Sequence, residues 1–258
     1  MRERNFVVDI GNTNIVLGIY IGQDSEYFWR LKTDDTQTED EYFSVINSLF
    51  ADVSLSVNEI KNIAISSVVP TLTQIFSVMA NKYFPEISTK IIDAKLDLGL
   101  SFAVENPDFI GADLLVNAFA AKEKYQTNCI ICDFGTATTV QLIGADGYFY
   151  GTAIIPGVKT SAKNLFQIAS QLSETELENP QNILGKSTKE SLLSGIINGN
   201  LFMIDGFVRA IREKYGNLGE IKAIATGGLA STICENSREI DLIDVELTLD
   251  GLNLICQK

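Results

Sequence analysis

One short pattern occurs twice in this chain, almost half its length apart, and that repetition constrains the fold more than any other feature. The first copy reads Phe6-Val7-Val8-Asp9-Ile10-Gly11-Asn12-Thr13-Asn14. The second reads Cys129-Ile130-Ile131-Cys132-Asp133-Phe134-Gly135-Thr136-Ala137-Thr138-Thr139, in a chain of 258 residues. Each is an apolar run of strand length that ends in aspartate and breaks into a glycine–threonine turn. The surroundings repeat as well. After the first copy, strands at 15–21 and 26–32 make a meander, followed by a helix at 39–51, a strand at 63–69 closed by Pro70, a helix at 71–83 and a strand at 90–93. A further helix opens at Gly111-Ala112-Asp113 and runs to about Tyr125. After the second copy, strands at 138–143 and 148–155 precede a helix at about 158–172 and a helical stretch at 189–215. A strand at 221–226 then meets Gly227-Gly228, a helix covers about 229–235, and a short strand and closing helix fill 240–257. Three strands and then alternating helix and strand, twice over, predict an α/β protein of two similar lobes, 1–122 and 123–258, with a ligand cleft between them.

The turns suggest a chemistry. Glycine lets the backbone approach an anion and aim its N–H groups at it. The hydroxyls of Thr13, Thr136 and Thr138 add donors, and a carboxylate can hold a divalent cation. Asp9 and Asp133 taken singly are also ordinary strand-to-turn residues. It is their recurrence, with glycine and threonine at matching offsets, that predicts a two-sided phosphate grip. Gly227-Gly228 reads either as a shelf for the adenine or ribose of a nucleotide or as a plain helix start. Asp113 reads as a helix N-cap on sequence alone, and as a candidate general base if it borders the cleft.

Composition removes alternatives. The chain has no histidine, which excludes Ser-His-Asp and Cys-His catalysis and His-ligated zinc. A net charge of −13 opposes nucleic-acid binding, which relies on Lys and Arg neutralising phosphates. A nucleotide on so acidic a protein must be gripped locally, by backbone amides and a metal ion. Cys129-x-x-Cys132 sits inside a predicted strand, where residues three apart face opposite sides, so core packing is the expected role. Gly185-Lys186-Ser187-Thr188 resembles the end of a P-loop, but Pro180 stands where the leading glycine belongs. No apolar run reads as membrane-spanning, and Met1-Arg2-Glu3-Arg4-Asn5 leads into a strand without a signal-peptide core; a cytoplasmic protein is expected.

The motifs together, in order, resemble the type III pantothenate kinases of the acetate and sugar kinase/Hsp70/actin superfamily. The match runs through Asp9–Asn14, Trp29-Arg30, Thr38-Glu39-Asp40-Glu41-Tyr42, Ser66-Ser67-Val68-Val69-Pro70, Glu105-Asn106-Pro107, Gly111-Ala112-Asp113 and Asp133–Thr139. It continues through Pro156-Gly157, Gly185-Lys186-Ser187-Thr188, Ala225-Thr226-Gly227-Gly228-Leu229-Ala230 and Leu247-Thr248-Leu249-Asp250-Gly251-Leu252. The resemblance implies ribonuclease H-like, actin-like lobes and ATP-dependent phosphorylation of pantothenate to 4'-phosphopantothenate, the first step of coenzyme A biosynthesis. It implies that Asp113 is the base, and that Asp9 and Asp133 organise Mg2+ and a monovalent cation, K+ or NH4+. Gly11, Asn12, Thr13, Asn14, Gly135, Thr136, Thr138, Gly227 and Gly228 then contact ATP. Gly111, Ala112, Asp113, the position of Val104, and Thr188 contact pantothenate, in a homodimer. Three positions depart from the family pattern: Leu114 stands for arginine, Val104 for tyrosine, and Leu172-Ser173 for Leu-Pro. The first two remove polar groups suited to the acceptor, which leaves an altered-substrate or non-catalytic homologue as the alternative.

Overall fold

The computed structural model describes residues 3–104, 106–168 and 176–258, so Leu172-Ser173, Glu105 and the first two residues lie outside the described residues. The chain forms two compact units. Unit 1 comprises Met1–Gly99, Asn106–Ala120 and Thr248–Lys258; unit 2 comprises Leu100–Glu105 and Ala121–Leu247.

Unit 1 is built on a five-stranded sheet. Strands β1 (Arg4–Ile10), β2 (Asn14–Ile21) and β3 (Asp24–Lys32) form an antiparallel meander. Helix α1 (Glu39–Asp52) follows, then β4 (Ile60–Ser67), α2 (Pro70–Tyr83) and β5 (Ser88–Ile91). The strand order is β3-β2-β1-β4-β5, with β4 parallel to both β1 and β5. β1 alternates as the pattern predicts. Phe6, Val8 and Ile10 enter a core with Tyr42, Ile46 and Phe50 of α1 and Leu72, Phe76 and Met79 of α2. The rings of Phe6 and Phe50 meet edge to face at 5.3 Å, a favoured aromatic geometry. Val7 on the opposite face is also fully buried, so the strand is covered on both sides and reads as a continuous apolar run. Thr38 starts α1 with a capping box: its hydroxyl accepts from Glu41 N, and Glu41 accepts from Thr38 N.

The opposite face of this sheet meets the last helix of the chain, Leu247–Gln257, which packs in turn on α3 (Ala112–Tyr125). Asn5 Nδ2 donates to Asn253 Oδ1 at 2.8 Å, Asn62 Nδ2 donates to Asn5 Oδ1 at 2.9 Å, and Asn253 Nδ2 donates to the carbonyl of Gly22 at 2.9 Å. Gly251 faces Ala120 and Val116 so closely that a Cβ there would lie 2.8 Å from each. The C-terminal segment therefore completes the first unit, across nearly the whole sequence.

Unit 2 repeats the plan. β6 (Ser101–Phe102) precedes the end of α3. β7 (Asn128–Phe134), β8 (Ala137–Ile143) and β9 (Tyr148–Pro156) then form the second antiparallel meander. Helices α4 (Val158–Ile168), α5 (Thr188–Leu193) and α6 (Gly199–Lys214) lead to β10 (Ile221–Thr226), α7 (Ala230–Cys234) and β11 (Leu242–Ile243), before the closing helix α8 (Leu247–Gln257). The order β11-β10-β7-β8-β9-β6 repeats that of unit 1, with β10 parallel to β7 and β11, and β6 added beside β9. The duplication read from the sequence is thus a duplication of topology.

The helical stretch read at 189–215 forms as one 27-residue stretch, Thr188–Lys214, which is long and apolar enough by length and composition to cross a membrane although polar and charged residues interrupt it. It is continuous because a π-helical turn, Ser194–Asn198, joins α5 to α6. Leu193 is buried, and Ile196, Ile197, Leu201, Ile204 and Val208 pack into the core of unit 2, which is where its apolar face goes. The predicted strand at 90–93 shifts to Ser88–Ile91, because Asp93 leaves the ladder to accept the N–H groups of Lys95 and Leu96. All four cysteines are buried free thiols. Cys132 lies in the core with Ile130 and Phe134, whereas Cys129 points to the other face; burial pushes Cys129, Cys234 and Cys256 up to about 12. Thiols held so far from ionisation pack as small apolar groups.

Candidate active site

In unit 1 the carboxyl ends of β1 and β4 carry the first turn. Ligands of open α/β sheets bind beyond such strand ends. Gly11 N donates to Asn14 O at 3.0 Å, closing the turn. Thr33, just past β3, pins it from outside: its hydroxyl donates to Gly11 O at 2.6 Å and its N–H to Thr13 O at 3.1 Å. Asn12 and Thr13 are left exposed at the tip, with Gly11 and Asn14 half-buried beneath them. Asp9 is half-buried and lies opposite Ser66 in the parallel register with β4.

The start of α3 reaches the same strand ends. A Cβ on Gly111 would sit 3.6 Å from Val68 Cγ1, just after β4, and would overlap Asp113 Oδ1. Asp113 is one residue inside the helix, so it is not the cap; its Oδ1 accepts from Leu114 N at 2.8 Å. Burial raises the Asp113 carboxyl above its ordinary value, and the hydrogen bonds from Leu114 N and its own N–H offset this only in part. A carboxylate made more basic by desolvation suits proton abstraction. Ala112 and Leu114 beside it are buried, Leu114 at 5% exposure, in agreement with an apolar residue at that position.

Unit 2 builds the second turn more tightly. Gly135 N donates to Ala137 O at 3.1 Å, and the Thr160 hydroxyl in the first turn of α4 donates to Thr136 O at 3.2 Å. Two glycines press on this turn. A Cβ on Gly157 would overlap Thr136 O and lie 2.8 Å from Gly135 O. One on Gly227, where φ is +88°, would overlap Asp133 Oδ1 and lie 2.8 Å from Phe134 N. Gly227 thus touches the aspartate directly, while a Cβ on Gly228 would meet nothing within 4 Å. Gly135 and Thr136 are exposed at the tip, and Thr138 is buried, its hydroxyl without a partner among the described residues. Asp133 lies opposite Thr139 on β8 and Thr226 on β10.

Each unit therefore gathers an aspartate, a glycine turn with exposed donors, and a threonine pin. Unit 1 adds Gly111, Ala112 and Asp113; unit 2 adds Gly227. Of the other predicted residues, Val104 is half-buried just after β6, and Thr188 is exposed at the first residue of α5. Sequence reasoning missed the roles of Thr33, Thr160 and Gly157, which act on the turns from a distance in the chain. The signal was there in outline, since Thr33 follows the third strand of one meander and Thr160 that of the other.

Each unit by itself offers a donor set that fits part of a metal-bound nucleotide. Unit 1 has the Asp9 carboxylate beside a turn with exposed Asn12 and Thr13, and unit 2 has the Asp133 carboxylate, a backbone cradle that a Cβ on Gly157 or Gly227 would fill, and, at Thr138, a buried hydroxyl without a partner among the described residues. These are oxygen ligands and anion donors.

Known proteins share both the fold and the sequence. A solved structure of glucokinase from an Antarctic psychrotroph superposes with a TM-score of 0.52 at 13% identity, covering 98% of each chain. A Campylobacter jejuni protein described as a member of the Baf transcriptional-activator family superposes at 0.61 with 16% identity, covering 98% of this chain and 97% of the other. At such identities the likeness is one of fold alone, an α/β chain with two sheets. Sequence goes further. The Type III pantothenate kinase of Desulforapulum autotrophicum is 42% identical over 98% of this chain and 96% of its own length. That of Exiguobacterium sibiricum is 42% identical over 98% of both. The model of the type III pantothenate kinase family matches residues 5–210, which include both aspartate turns and Asp113. On that match and on full-length relatives of this identity, the chain belongs to the type III pantothenate kinase family.

Proposed function

We propose that the protein transfers the γ-phosphoryl group of ATP to the primary hydroxyl of pantothenate, giving ADP and 4'-phosphopantothenate, the first step of coenzyme A biosynthesis. The observation that carries this reading is the Asp113 carboxyl. It is raised by burial and stands where α3 meets the end of β4, in the unit that also carries the Asp9 turn. The hydroxyl oxygen of pantothenate forms the new bond to phosphorus, the bond to the ADP oxygen breaks, and Asp113 takes the hydroxyl proton. Phosphoryl transfer needs mainly positioning and charge stabilisation. The turns at Gly11–Asn14 and Gly135–Thr138 supply amide and hydroxyl donors to the phosphates, and Gly227 and Gly228 flank the nucleotide. Asp9 and Asp133 would hold Mg2+, which offsets the repulsion between two carboxylates and a polyphosphate. The same two aspartates would organise a monovalent cation, K+ or NH4+. Gly111, Ala112, Val104 and Thr188 serve the acceptor.

Full-length identity to relatives of this name favours pantothenate over an altered acceptor or a non-catalytic homologue. A homodimer follows from the family reading, and the exposed side chains of Ile183, Leu184 and Phe202 around α5 and α6 support it. The reading further implies a cytoplasmic enzyme that binds neither nucleic acid nor membrane. The test is an ATP-coupled phosphorylation assay with magnesium and potassium, run first on pantothenate and then on a panel of other alcohols. Turnover of pantothenate above every other alcohol is expected. ADP release from another alcohol alone, or from none, would overturn the assignment. Light scattering after size exclusion reads the dimer directly.

A further inference from the structure

Each of the two turn aspartates, Asp9 and Asp133, has a hydroxyl neighbour that the phosphate chemistry above does not use. In the parallel ladder of unit 1, Asp9 pairs with Ser66; in that of unit 2, Asp133 pairs with Thr226. Directly paired residues on adjacent strands present their side chains to the same face, with strands about 4.8 Å apart. Ser66 is fully buried and Thr226 is 1% exposed. Neither Ser66 Oγ nor Thr226 Oγ1 has a hydrogen-bond partner among the described residues. A buried hydroxyl without a partner costs stability, and most buried polar groups are satisfied. Here the exception occurs at equivalent positions of both duplicated ladders, next to both carboxylates.

We infer that Ser66 and Thr226 are positioning residues for the cation and phosphate grip, their hydroxyls donating to the carboxylates of Asp9 and Asp133 when the nucleotide is bound. The inference rests on the kinase reading above. Buried and paired in register with the aspartates, the hydroxyls would act through the carboxylates. A donor behind a ligating carboxylate fixes which oxygen faces the cation, and loss of such a support typically weakens metal affinity by about 10–100-fold. This explains why a hydroxyl that stabilises nothing in the ligand-free fold stands at both positions.

The experiment compares wild type with Thr226→Val, Ser66→Ala and Thr226→Ser. Two quantities are measured: the melting temperature without ligand, and the calorimetric affinity for magnesium-ATP across a magnesium series. Valine matches threonine in shape and alanine removes only the serine hydroxyl, so the melting temperature should stay level or rise in both. Magnesium-ATP should bind about 10-fold or more weakly in Thr226→Val and Ser66→Ala, with half-saturation moved to higher magnesium. Thr226→Ser, which keeps the hydroxyl, should bind like wild type. If Thr226→Val and Ser66→Ala bind like wild type, or if their melting temperatures fall without any loss of affinity, the hydroxyls are structural and the inference is wrong. If wild type itself does not bind magnesium-ATP, the kinase reading fails and this inference with it.

Discussion

Gly227→Ala isolates the tightest contact in the second turn. Gly227 has φ +88°, a left-handed conformation that costs a residue with a Cβ about 1–2 kcal/mol. The new Cβ would also overlap Asp133 Oδ1 and lie 2.8 and 2.9 Å from the backbone N and C of Phe134. The Asp133 side chain can rotate away, but the end of β7 cannot move without breaking its pairing with β8 and β10. Overpacking of this kind costs about 1–3 kcal/mol. The sum is about 2–5 kcal/mol, or a fall in melting temperature of about 4–20 °C for a chain of this size. Displacing Asp133 should weaken magnesium-ATP binding in the same variant. Gly228→Ala is the control: nothing lies within 4 Å of its Cβ, so its stability should stay within about 0.5 kcal/mol of wild type. Thermal unfolding read by circular dichroism, with calorimetric titration of magnesium-ATP, measures both effects. A double-mutant cycle with Asp133→Ala should return a coupling of about 0.5 kcal/mol or more, because the shortened side chain removes one of the overlaps. Unchanged stability and unchanged ATP affinity in Gly227→Ala would refute the argument, as would an equal loss of stability in Gly228→Ala.

Three further outcomes are expected. Asp113→Asn should lower turnover about 10²-fold or more while ATP binding stays near normal; wild-type turnover would leave Asp113 without a role as base. The same variant should melt higher at neutral pH. The Asp113 pKa is raised on folding, so its charged form burdens the native state, and wild-type stability declines as pH rises from the ordinary carboxylate value through the folded one. The gain should vanish in acid, where the carboxyl is protonated in both states, and a melting curve against pH shows it. Asp9→Asn and Asp133→Asn should each weaken magnesium-dependent ATP binding without unfolding the protein; unaltered titrations for both would remove the cation assignment. Leu114→Arg, alone or with Val104→Tyr, should raise the specificity constant for pantothenate by about 10–10³-fold. It should also lower the melting temperature, since Leu114 is buried and a guanidinium is costly there. A wild-type enzyme already efficient with pantothenate would show that another group holds the acceptor carboxylate.

The sequence by itself determined the repeated plan, because its signals are local. Alternation in Phe6, Val8 and Ile10, the capping pair Thr38 and Glu41, and glycine turns after Asp9 and Asp133 all act within a few residues. The same locality made the two aspartates and Asp113 legible as candidates. What only the tertiary structure decided depends on residues far apart in the chain. The pairing of Asp9 with Ser66 and of Asp133 with Thr226 is set by parallel register, which no short window contains. The pressure of Gly157 and Gly227 on one turn comes from the two segments that close around it. Helix Leu247–Gln257 joins unit 1 through Asn253 and Asn5, a partnership between opposite ends of the chain. Asp113 reads as a cap in sequence because Asp is common there. Its raised basicity comes from burial, and burial is a property of everything packed around it.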